Sequence, residues 1–82
     1  MKIVEITWLD AAGTSEDVSV DSAARIQPIK RSNVGYLLRE NENEVVISWG
    51  FLYDDDKIDR SDATKVLTRG MIQQIIVIWD GH

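Results

Sequence analysis

The sequence predicts a mainly β domain: a small five-stranded barrel with one short helical turn in its long first connection. Three observations carry this reading. Apolar residues recur at every second position along several short segments. Those segments are rich in β-branched and aromatic residues. Polar or glycine-containing stretches separate them at intervals that suit a sandwich or barrel, with no long helical crossover between strands.

Residues 3–9, IVEITWL, place Val4, Ile6 and Trp8 on one face and Ile3, Glu5, Thr7 and Leu9 on the other. That period of two marks a strand. DAAGTSED ends it in a loop. Further on, VSV reads as a short strand and DSAARI as a helical turn capped by Asp21 or Ser22. Pro28 stops the turn and biases Gln27 to an extended shape. A structureless connection over residues 10–32 would be unusually long, so local structure is expected there. Residues 33–40 form the second strand, with Val34, Tyr36 and Leu38 on one face and Gly35, Leu37 and Arg39 on the other. Gly35 has no side chain to pack and signals a bend, a bulge or a backbone at close range.

ENEN at 40–43 is a tight hairpin connection, since Asn tolerates positive φ. The third strand, 44–51, sets Val45, Ile47 and Trp49 against Val46, Ser48 and Gly50. A charged loop follows at 52–62. Residues 63–69 make a fourth strand that Gly70 breaks, GMI suits a single 3₁₀ turn, and QQIIVIW at 73–79 is the fifth strand. Long loop, meander, 3₁₀ turn and final strand is the order of an SH3-like barrel. An OB-like barrel is the rival, but nothing here supplies its helix between strands three and four. A lone open sheet would leave edges that a chain of this length cannot protect.

Composition bounds the function. Eighty-two residues make one domain, 1–82. There is no cysteine, hence no disulfide framework and no thiolate metal site. No apolar run approaches the roughly 18 residues of a membrane span, and MKIVEITWLD lacks the continuous apolar stretch of a signal peptide. The expected location is the cytoplasm. A formal charge of −5 argues against direct nucleic-acid binding. Arg25, Lys30 and Arg31 form the one basic group, sparse enough to be a solvated loop.

MKIVEITWLDA, SNVGYLLRENENEVVIS and the closing GMIQQIIVI resemble a group of small phage- and prophage-encoded proteins of uncharacterised function. The resemblance covers most of the chain apart from residues 20–31 and the WDGH tail. It implies a phage origin, a host-cytoplasmic location and a small SH3-like barrel. It implies no reaction, and no functional residues come with it.

The motifs favour no enzyme. Asp54, Asp55, Asp56, Asp59 and Asp62 crowd into nine positions, and Asp54 and Asp56 begin with calcium-loop spacing. Ile58 then stands at an oxygen position, Asp59 at the glycine position, and the closing glutamate is missing. The run reads as a solvated or protein-binding acidic surface. His82 is the one histidine, and alone it completes neither a metal site nor a triad. Serines 15, 19, 22, 32, 48 and 61 therefore have no second imidazole to activate them. The five glycines are scattered, so no phosphate loop exists. No cofactor and no metal are expected.

The apolar surplus is the sharper signal. At least two of Trp8, Trp49 and Trp79 are expected in the core. A barrel has one interior, however, and Leu37, Val46, Ile76 and Ile78 fall outside it. Val18, Val20 and Ile26 of the long connection are one candidate cover; a second subunit or a partner is the other. The expected function is a non-enzymatic protein–protein interaction module, self-associating or binding a protein partner through the outer face of strands three and five. The alternative is an acidic inhibitor that occupies the groove of a host nucleic-acid-binding protein. A ligand- or RNA-binding small barrel, such as an Sm-like ring, is a weaker third reading.

Overall fold

In the computed structural model, which describes residues 1–13 and 16–81, the chain is mainly β. The described residues form seven strands rather than five: β1 (Ile3–Asp10), β2 (Ile29–Glu40), β3 (Glu44–Ser48), β4 (Phe51–Asp54), β5 (Lys57–Ser61), β6 (Thr64–Thr68) and β7 (Ile72–Trp79). A five-residue helix, α1 (Val20–Ala24), lies in the first connection, and a 3₁₀ turn, Arg69–Met71, precedes β7. Five strands make an antiparallel sheet in the order β6-β3-β2-β1-β7, and β4 and β5 pair only with each other.

The sheet is open, where the sequence predicts a closed barrel. Closure needs the edge strands to meet, and among the described residues β6 and β7 do not pair. β6 is only five residues long. The 3₁₀ turn then carries the chain from this edge to the opposite one, and its Met71 packs on the core.

One face of the sheet is the core. Val4, Ile6 and Trp8 from β1 cluster with Val45 and Ile47 from β3 and Leu67 from β6. Strand register brings them together: Val4 lies opposite Gly35, Leu37 opposite Ile47, and Val45 opposite Leu67, and opposite residues share a face. Each such side chain contributes about 1.5–3 kcal/mol when fully buried. The Trp8 indole N–H donates to Asn33 Oδ1 at 2.8 Å, so its polar atom is satisfied under the apolar ring. Lys65 Nζ sits 4.6 Å from the centre of that ring, although β3 and β2 separate their strands. Bulges in the β1–β7 and β2–β3 ladders increase the twist that coils the sheet around this cluster.

The predicted third strand, charged loop and fourth strand are one bent hairpin. Ser48 lies opposite Thr64. The Trp49 N–H then donates to Ala63 O at 2.9 Å and the Asp62 N–H to Gly50 O at 2.8 Å. Phe51 next lies opposite Ser61. The register therefore runs unbroken through a kink at residues 49–50 and 62–63. Asp55 and Asp56, with φ of 49° and 65°, form the two-residue tip, the geometry of a type I′ turn. At the other tip, Asn41 Oδ1 accepts the backbone N–H groups of Asn43 and Glu44, each at 2.9 Å. This is the Asx chemistry that ENEN implied.

The first connection forms an arm rather than a cover. Its helix is capped by Ser19, whose Oγ accepts the Ser22 N–H at 3.1 Å; Asp21 and Ser22, the expected caps, lie inside it. No residue of α1 is buried, and Val18, Val20 and Ile26 are exposed. Asp10 and Arg31 pair at 2.7 Å across the arm's base. With this arm and the bent hairpin, the molecule measures 57 × 23 × 20 Å.

Candidate functional site

The second face of the sheet is where the chain leaves apolar surface unspent. Register sets Ile3 opposite Tyr36 on one side and Trp79 on the other. One row further, Glu5 lies between Val34 and Ile76. The root of the bent hairpin folds over the Tyr36 end of this face, and Tyr36 and Phe51 meet with ring centres 5.0 Å apart. That fold also explains the second face of β3. Ser48 is fully buried; its hydroxyl donates to Gly50 O at 2.6 Å and pairs with Ser61 Oγ at 2.6 Å. The Ser61 hydroxyl pairs in turn with Thr64 Oγ1 at 2.6 Å.

Between the hairpin and the sheet lies a cleft of about 320 Å³ lined by Met1, Tyr36, Phe51, Tyr53, Ile58 and Trp79. Four of these six are aromatic. The cleft is within the size range of pockets that hold a small ligand or an anchoring side chain. Tyr53 and Ile58 face each other across the hairpin, next to the Asp54–Asp55–Asp56 tip. Gly81, at φ +96°, folds the chain end against Met1: a Cβ there would lie 2.9 Å from the Met1 nitrogen.

The four residues expected on an apolar outer surface are not brought together. Ile76 and Ile78 are 43% and 55% exposed, but Val46 is 8% exposed and Leu37 packs against the core opposite Ile47. The indoles also divide differently from expectation. Trp8 is buried, whereas Trp49 and Trp79 are 45% and 44% exposed. Trp49 leaves the core because β3 departs from the sheet after Ser48; Trp79 sits on the outer row beside Ile3.

The five aspartates spread along the hairpin. Asp54, Asp55 and Asp56 stand at its tip, Asp59 pairs with Arg60 at 3.8 Å, and Asp62 joins the kink through its backbone. Among the described residues no group of three or more His, Cys, Asp or Glu is placed to hold a metal ion. Ser15 and His82 lie outside the described residues. No described helix is long and apolar enough to cross a membrane.

The cleft residues Phe51, Tyr53 and Ile58 were absent from the sequence-based candidates. Their signal was present as an alternating F-x-Y before the acids and an isoleucine after them. The Asp run masked it, because Asp-Asp is a rarer hairpin tip than Asn-Gly or Asp-Gly. Comparison of the chain with protein-family models, with curated proteins and with solved structures returned no match.

Proposed function

We propose that this chain is a non-enzymatic protein-interaction module that grips an apolar anchor of a partner protein in the cleft between hairpin and sheet. The observation that carries the reading is the cleft itself: open aromatic walls beside a triplet of aspartates on a protein of charge −5. Aromatic rings offer large contact area at low entropic cost, the usual composition of binding hot spots. The acidic tip favours a partner segment whose anchor is flanked by Lys or Arg. Phage origin, a host-cytoplasmic setting and descent from an SH3-like barrel belong to the same proposal. The strand order, with the last strand beside the first and a 3₁₀ turn before it, supports an opened barrel into which β4 and β5 were inserted.

A display library of short peptides tests this. Enriched sequences should carry one aromatic or branched anchor with basic neighbours. Their binding should weaken as salt rises, and Tyr53→Ser should abolish it while the far-ultraviolet spectrum is unchanged. No enrichment, or binding that survives both Tyr53→Ser and Trp79→Ser, overturns the reading.

The acidic-inhibitor reading draws on a different observation. Asp54, Asp55 and Asp56 are carried at the end of the hairpin's outer half, whose strands β4 and β5 pair only with each other. Such a tip can enter a basic groove without any help from the cleft. Binding to a basic surface that survives Tyr53→Ser but is lost in the triple Asp→Asn variant would favour it.

A further inference from the structure

We infer that a second copy of this chain pairs with the free edge of β7, antiparallel, about a two-fold axis at Ile76. This goes beyond the cleft: the paired stretch Gln74–Val77 contains none of its walls, and Trp79 at the end of the strand is the one residue the two share.

The two edges of the sheet differ. β6 is five residues long and carries Lys65 near its middle, and short charged edges resist pairing. β7 is eight residues, Ile72–Trp79, without one charged residue. Its neighbour on one side is β1, and among the described residues no strand pairs its other side. Ile76, Val77, Ile78 and Trp79 are all exposed, on both faces of the strand. A long apolar edge of this kind is a template for another strand.

The direction of the free groups follows from one hydrogen bond. The Leu37 N–H donates to Lys2 O at 2.8 Å, so the Lys2 backbone faces β2. Successive residues of a strand aim their peptide groups alternately to either side. The β1–β2 register is regular, so Val4 and Ile6 also face β2, while Glu5 and Thr7 face β7. Their opposites, Ile76 and Gln74, are therefore bonded to β1. Ile75 and Val77 aim their N–H and C=O groups outwards. The ladder is regular from Gln74 to Val77, with irregularities beyond both ends.

This stretch is its own complement. With Ile76 opposite Ile76 of the second copy, Ile75 faces Val77 and Val77 faces Ile75. Each of those pairs exchanges two backbone bonds. The Ile76 side chains meet in the closer, non-bonded pair. No charge opposes a like charge at this seam. About half of four large side chains per copy amounts to on the order of 400 Å². That is about half of the ~800 Å² per partner in a standard interface, so the dimer is weak and concentration-dependent. Each copy carries −5, so salt should strengthen this contact by screening, opposite to its effect on a basic ligand in the cleft.

Sedimentation across a wide concentration range, up to millimolar, reads the mass directly. The expected result is a shift from 9.3 kDa towards twice that value, at lower concentration in high salt. Val77→Pro removes an outward N–H and no bond to β1, so it should fold and remain monomeric. Val77→Lys should do the same. If both substitutions unfold the chain, amide exchange of the unmodified protein decides: Ile75 and Val77 should become protected as concentration rises. A wild-type monomer at every concentration, a folded Val77→Pro that still dimerises, or concentration-independent exchange at Ile75 and Val77 overturns the inference.

Discussion

Gly35 shows how much one missing side chain does in this molecule. A Cβ there would stand 2.8 Å from the Ser48 carbonyl oxygen and 3.4 Å from Ile47 Cβ. The nearest obstacle is backbone, so relief requires β2 and β3 to separate. Gly35→Ala should therefore lower stability by about 1–3 kcal/mol, read as a lower urea midpoint with an unchanged slope. Trp8 makes the complementary case. Trp8→Phe keeps most of the apolar area but strands Asn33 Oδ1, which accepts the indole N–H. A loss of about 1–3 kcal/mol is expected, and the double variant with Asn33→Ala should lose less than the two single losses combined. Residue-level reading of the sequence served these positions well, because Gly35 and Trp8 act through their immediate strand neighbours.

At the level of elements, the bent hairpin carries most of the disagreement with the sequence. Strand periodicity located β1, the second half of β2, β6 and β7 within a residue or two, and found the start of β3 but ran it three residues past Ser48. It failed over 52–62, where the charge run masked Tyr53 and Ile58. β2 also begins at Ile29 rather than at 33, because its first residues pair with Trp8, Leu9 and Asp10 at the end of β1. Pairing of that kind is non-local and leaves no mark on local propensity. The hairpin tip gives a test. Asp56 holds φ 65°, which costs a β-branched residue about 1–2 kcal/mol more than a residue that tolerates the left-handed region. Asp56→Val should speed amide exchange across 51–61 and leave exchange in β1 unchanged, because the distal strands pair only with each other.

Taken whole, the molecule is long for its size. Its Cα radius of gyration is 16.6 Å, against about 12 Å for a compact chain of this length. Small-angle scattering at low concentration should return the larger value. The arm should also be the first point of proteolysis: trypsin should cut after Arg25, in an exposed segment with no buried residue, before any site in the sheet. This shape was the least legible property. Alternation reports which face of a strand is apolar, but sheet closure depends on whether two distant edges meet. The same holds for the cleft, whose walls come from positions 1, 36, 51, 53, 58 and 79. The kink at Gly50 has one more consequence. Because pairing continues in step through it as far as the Phe51–Ser61 couple, the segment beyond that couple can be exchanged without altering the inner half. The outer half is thus a modular graft point: exchanging 52–60 for a foreign two-stranded finger, with Phe51 kept on Tyr36 and Ser61 kept on Ser48, would change what the protein grips while leaving Val45, Ile47 and Leu67 seated where they are.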